Sequence, residues 1–302
     1  MHRTVFTIPL PSNFNFWRTV FSHGWCALPP FRVDKEQHAF HRLFELREGS
    51  LVACSIRESN RSLHVQCASG LPLTTRQRGE VKALVRECLR MDETFDAFYR
   101  LASKHRQYRW IPRMSAGRLL RAPTVFEDVV KMICTTNCSW ALTETMVGNL
   151  TSFLGRQWSA QEFSFPTPQA LAAVSEATIR KEIRAGYRSP YLLEFAERVA
   201  AGKLHVEQWR RSDLPTSELF RQVRSVKGMG EYAAGNLLKL LGRYEYLGLD
   251  SWVRGKFREI HRNGRPTKDS IIERYYAPFG EWRGLFFWLE MTKHWYKEKF
   301  PF

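Results

Sequence analysis

With 302 residues, 44% of them hydrophobic and 25% charged, the chain has the composition of a soluble globular protein long enough to bury a substantial core. No run approaches the roughly 18 apolar residues of a membrane helix, and MHRTVFTIPLPSNF lacks the apolar centre of a signal peptide, so an intracellular protein is expected, in the cytoplasm and nucleoid or in a eukaryotic nucleus. Forty-six Lys and Arg against 30 Asp and Glu leave a net charge of +16, which favours a polyanionic partner such as nucleic acid, because each neutralised phosphate releases condensed counterions.

The first seventy or so residues carry strand signals. Leu63, Val65 and Cys67 alternate with Ser62, His64 and Gln66, the period of a half-buried strand, and the run LVACSI precedes them. The polar RESNRS between the two runs predicts a hairpin over 51–67 with a loop of medium length. His38 and His41 stand near the start of this region without a carboxylate or cysteine companion and read as polar surface. From about residue 76 the period becomes helical, with apolar residues at 81, 84, 85, 88 and 89. Thr124 followed by Glu127 is a capping-box pattern, with Pro123 blocking extension backwards and Phe126, Val129, Val130 and Ile133 forming one apolar face. The six cysteines, at 26, 54, 67, 88, 134 and 138, are expected to be thiols. Cys134 and Cys138 lie one helical turn apart with no second pair, so no metal site is expected.

The sharpest local signal is VRSVKGMGEYAAGNLL over 223–238. Gly228 and Gly230, separated by apolar Met229, allow a tight hairpin between two helices, with small Ala233 and Ala234 letting the second pack closely on the first. Backbone amides of such a hairpin, with Lys227 beside them, make a phosphate site. After Gly242 the run RYEYLGLDSWVRGKF delivers Asp250 to the start of a further helix, where an aspartate serves either as an N-cap or as a functional carboxylate.

The hairpin, the spacing from Gly230 to Asp250 and the Asp-x-x-Val-Arg ending resemble the signature of the helix–hairpin–helix (HhH-GPD) DNA glycosylases, with a pattern nearest the 8-oxoguanine and 3-methyladenine branches. FEDVVKMICTTNCSW (126–140) and IRAGYRSPYLLEFA (183–196) are similar to segments of the 8-oxoguanine branch, and YAPFGEWRGLFFWLEMTKHWY is also family-like. The resemblance implies an α+β fold, with a small N-terminal antiparallel β domain (1–75) and an all-helical two-lobed body (76–302) split by a central cleft. It makes Asp250 the catalytic carboxylate and Lys227, Gly228, Met229 and Gly230 the phosphate grip. Asn137 would fill the gap left by a flipped base, Tyr187 would wedge into the duplex, and Arg188 would read the opposite base. Tyr191 would be packing, and Tyr232, Trp252, Trp282 and Trp288 would line the base pocket.

The departures from the pattern are as informative. Family members that also cut the strand carry a lysine where this chain has Tyr232; a phenol forms no imine with the sugar, and neither Lys227 nor Lys239 occupies the matching place. Leu142 replaces a second arginine that would read an opposite cytosine, and the lack of any cysteine after Cys138 removes the four-cysteine iron–sulfur cluster of endonuclease III. The resemblance therefore implies a monomeric, cofactor-free, monofunctional glycosylase acting on double-stranded DNA with a damaged purine, of the alkylated, 3-methyladenine type. An 8-oxoguanine-type glycosylase, a glycosylase that also acts as a lyase at abasic sites, and a non-catalytic hairpin DNA binder are the alternatives.

Overall fold

The alternation of the first seventy residues folds as five antiparallel strands, β1 (His2–Pro9), β2 (Phe31–Asp34), β3 (Ala39–Glu45), β4 (Leu51–Ser59) and β5 (Ser62–Ser69), in the order β1-β5-β4-β3-β2. The structure is a computed structural model describing residues 1–298. Leu63, Val65 and Cys67 are fully buried, as their period requires. The loop expected at RESNRS is shorter than its polarity suggests. The β4–β5 ladder runs on to Ser59↔Ser62, leaving Asn60 and Arg61 as a two-residue turn with φ of +49° and +57°, the two positive values of a type I′ turn. Polarity therefore marked the solvent-exposed end of the hairpin rather than the end of its pairing.

The inner face of the sheet packs on the helical body through a shared hydrophobic core. The helix Thr75–Cys88 carries a complete capping box between Thr74 and Gln77 and buries Val81, Val85 and Cys88. The helix Val125–Cys134 is buried on every side. Thr124 caps it by accepting from Glu127 N–H at 3.2 Å, but the return half of the expected box is missing. The Glu127 carboxylate turns instead to Arg42 of β3, in a bidentate pair of 2.8 and 2.6 Å, and to Lys131 at 2.7 Å. Burial opposes its ionisation, yet the Arg42 and Lys131 charges hold Glu127 below the usual carboxylate range. The sheet is thus keyed onto the body by a buried ion triad as well as by apolar contact.

The loop 241–250 runs among the helices Thr216–Arg224, Glu231–Leu240 and Ser251–Arg262. The helix Arg283–Met291 closes the loop from the other side, with Gly284 N–H donating to Tyr244 O at 2.7 Å. No helix among the described residues is long and apolar enough to cross a membrane.

Candidate active site

The hairpin forms where the sequence places it. Gly228 has φ +87°, a conformation that a side chain would strain, and a Cβ there would meet the Tyr191 ring at 3.1 Å and Ile133 at 3.4 Å. Met229 is buried and anchors the turn by donating its N–H to Val226 O at 3.0 Å. At Gly230, by contrast with Gly228, nothing lies within 4 Å of a built Cβ. It is the exposed N-cap of Glu231–Leu240 and has no side chain to cap the helix amides, which remain available to an outside acceptor. Lys227 is exposed beside it and pairs with Glu194 at 2.5 Å. Ala233 and Ala234 are buried as expected.

The contact of Tyr191 with Gly228 joins the hairpin to the segment 186–191, which in turn docks on the loop after Val125–Cys134. Asn137 stands exposed at the tip of that loop with φ +45°. Tyr187, 46% exposed, reaches back to donate its hydroxyl to Thr136 O at 3.3 Å. Arg188, which the resemblance makes the reader of the opposite base, is buried in this structure. It is only 3% exposed, its guanidinium lies 4.5 Å from the Tyr187 ring centre, and it donates to Thr136 O and, at 3.3 Å, to Thr136 Oγ1. In this structure its donors hold the Asn137 loop in place. Asn137, Tyr187 and the hairpin therefore share one exposed surface.

Behind that surface lies a cavity of about 1090 Å³. Asp250 lies on its wall as the N-cap of Ser251–Arg262, with Oδ1 accepting from Val253 N–H at 2.8 Å. The N-cap role and a position facing the cavity are therefore both realised in one residue. Tyr232 is on the same wall; burial and the Asp250 charge push its phenol up to about 12, so it stays a neutral hydroxyl. Trp252 and Trp288 also line the cavity, with Trp288 held by donation from Nε1 to Ser22 O at 3.2 Å. Trp282 does not. Its ring packs on Phe98 at 5.3 Å and Tyr244 at 5.2 Å, where an aromatic stripe at helical spacing serves the core.

Several lining residues have no counterpart in the sequence-based expectations. Phe21, His23 and Trp25 come from the segment between β1 and β2, and Trp140 opens the helix Trp140–Leu154. Asn236 and Lys239 lie on the same helix as Tyr232, at the i, i+4, i+7 spacing that puts all three on one face. That spacing was visible in the sequence; the wall contributed by residues 21–25 was not, because it depends on how the segment before β2 packs on the helices. Among the described residues, no group of three His, Cys, Asp or Glu side chains is gathered as a metal site would require.

This arrangement of sheet, helical body and hairpin is a known one, seen in solved 3-methyladenine and 8-oxoguanine DNA glycosylases. The chain superposes on a 3-methyladenine DNA glycosylase from Archaeoglobus fulgidus with a TM-score of 0.75 and 21% identity, covering 96% of this chain and 99% of that one. An 8-oxoguanine glycosylase/lyase from Clostridium acetobutylicum in its apo form gives a TM-score of 0.70 at 16% identity, covering 95% of each chain. MBOgg1, solved with a low-affinity DNA ligand, gives 0.75 at 17% identity, covering 97% of this chain and 99% of that one. No protein-family profile and no curated relative matches the sequence.

Proposed function

We propose that the protein is a DNA glycosylase that flips a damaged purine into the cavity and hydrolyses its N-glycosidic bond, with Asp250 as the catalytic carboxylate. The observation that carries this reading is the position of Asp250: a carboxylate on the wall of a cavity of about 1090 Å³, on the loop that follows the hairpin helix. Cleavage of the bond builds positive charge on the sugar, and a carboxylate beside C1′ stabilises that charge and orients the attacking water. Duplex DNA would lie across the Asn137, Tyr187 and Gly228–Gly230 surface, its phosphates held by the uncapped hairpin amides and Lys227. The vacated base position would be filled from that surface, with Asn137 and Tyr187 as the exposed side chains nearest it.

An alkylated purine is the favoured substrate. Tyr232, Trp140, Trp252 and Trp288 present aromatic rings to the cavity, and electron-rich faces suit a base that carries positive charge. Hydrolysis alone is the favoured reaction, because a neutral phenol stands where a lysine would be needed for an imine. A panel of duplexes with methylated and oxidised purines tests this, with free base and strand breaks measured separately. The expected result is release of an alkylated purine without strand cleavage, reduced by at least about 100-fold in Asp250→Asn. Failure to release any base, with salt-dependent binding that is indifferent to Asp250→Asn, would instead identify a DNA-binding protein.

A further inference from the structure

The hairpin helix carries a buried lysine that the proposed reaction does not use. Lys239 is 1% exposed, in a helix whose other buried side chains are apolar or small. Its Nζ donates to Leu247 O at 2.8 Å, to Asn236 Oδ1 at 3.0 Å and to Gly235 O at 3.5 Å. An ammonium has three donors and no acceptor, so these three oxygens fill its capacity. A methionine would occupy the same space without the cost of burying a charge, so the charge calls for a reason.

Two of its neighbours show what it holds. Leu247 is three residues before Asp250, on the loop that delivers the carboxylate to the cavity. Asn236, which Lys239 orients, donates its own Nδ2 to Gly248 O at 3.3 Å and to Tyr232 O at 3.0 Å. The helix is shaped to receive this loop: a Cβ on Gly235 would come within 3.0 Å of Gly248 Cα. Two successive carbonyls of the loop, Leu247 and Gly248, are therefore fixed to one face of the hairpin helix, the face that also bears Tyr232. The geometry points to Lys239 as a positioning residue for Asp250: its ammonium, with Asn236, clamps the loop 247–250 so that the carboxylate and Tyr232 keep a fixed relation across the cavity wall. Burial pushes the amine down to about 7, opposed by the Asp250 charge, so the lysine is kept at an electrostatic disadvantage that a purely packing role would not require.

This inference rests on the glycosylase reading for its catalytic consequence, though the clamp itself can be measured without catalysis. In Lys239→Met, hydrogen exchange of free protein should show lost protection at the Val253 and Arg254 amides, which donate to Asp250 Oδ1 and O and depend on where the loop holds that residue. Single-turnover base release at saturating enzyme should fall by about 10- to 100-fold, while Kd for undamaged duplex changes by less than about twofold. In Lys239→Ala, added n-propylammonium, which replaces the missing part of the side chain, should restore part of the rate. Should Lys239→Met fail to fold, Asn236→Ala should lose the same protection and the same part of the rate. Unchanged exchange in the folded variant would overturn the clamp. A wild-type rate in that variant, or a borohydride-trapped DNA adduct that disappears with Lys239, would overturn the positioning role. If wild-type protein releases no base from any lesion, the glycosylase reading fails, and the exchange experiment still decides the clamp.

Discussion

Ser22 Oγ accepts a hydrogen bond from Leu120 N–H at 2.9 Å and is hydrogen-bonded to Nδ1 of His23, 3.1 Å away. Burial, with Lys131 and Arg90 adding to it, keeps the imidazole neutral by pushing its pKa down to about 3. An unfolded chain protonates this ring below about pH 6.5, whereas the folded chain does not until about pH 3, so stability is lost as pH falls through that interval. Each pH unit costs about 1.4 kcal/mol, or about 2 kcal/mol between pH 6.5 and about pH 5. Asp128, raised by burial to about 6, works in the opposite sense as pH falls below that value. The difference between wild type and His23→Asn therefore isolates the imidazole. Urea melts across this range should show the wild type losing about 2 kcal/mol more than the variant by about pH 5; parallel pH dependences would mean the ring is free to charge. His23 also shows why residues differ in legibility. Asp250 and Tyr232 could be read because their meaning lies in spacing along the chain. The meaning of His23 lies in Leu120, almost a hundred residues away, and nothing local announces it.

At the scale of elements, the same division appears in the helix Val125–Cys134. Its start at Thr124 and its apolar face were legible from local pattern, and so was the hairpin turn at Gly228. The destination of Glu127 was not, because a glutamate three residues after a threonine reads as the second half of a capping box until a buried arginine competes for it. Arg42 wins because the alternative is a guanidinium sealed behind the sheet with no counter-charge. Glu127 is fully buried between Arg42 and Lys131, which also have almost no exposure. Replacing Glu127 by Gln preserves shape and leaves two buried cations facing each other, a change of the kind that costs about 3–5 kcal/mol. Equilibrium urea unfolding of Glu127→Gln should show a loss in that range, and a loss below about 1 kcal/mol would mean that solvent reaches the triad. A double replacement of Arg42 and Glu127 by apolar residues should be milder than the single change, since it removes the desolvated charges together.

The whole molecule carries +16, and charge of that size acts on a polyanion before any pocket does. The composition pointed to a nucleic-acid partner, and the hairpin to the phosphate grip proposed for it. The shape of the cavity was not legible, because its walls come from residues 21–35, 119, 132–143, 232–252 and 288–295, which only the assembled sheet and helices bring together. The proposed interface also mixes two kinds of side chain whose contributions separate in salt. Lys227 is a surface cation, so its loss removes about one released counterion, while Asn137 and Tyr187 are uncharged and act through contact with bases and sugars. Binding to duplex DNA, measured from about 50 to 200 mM salt, should weaken linearly in log–log form. Lys227→Ala should make that slope shallower by about 0.9. Tyr187→Ala should lower affinity by a constant factor and leave the slope unchanged. Equal slopes in wild type and Lys227→Ala would move the phosphate contacts away from the hairpin, because the Glu194 pair would then be holding Lys227 out of the interface even when DNA is bound.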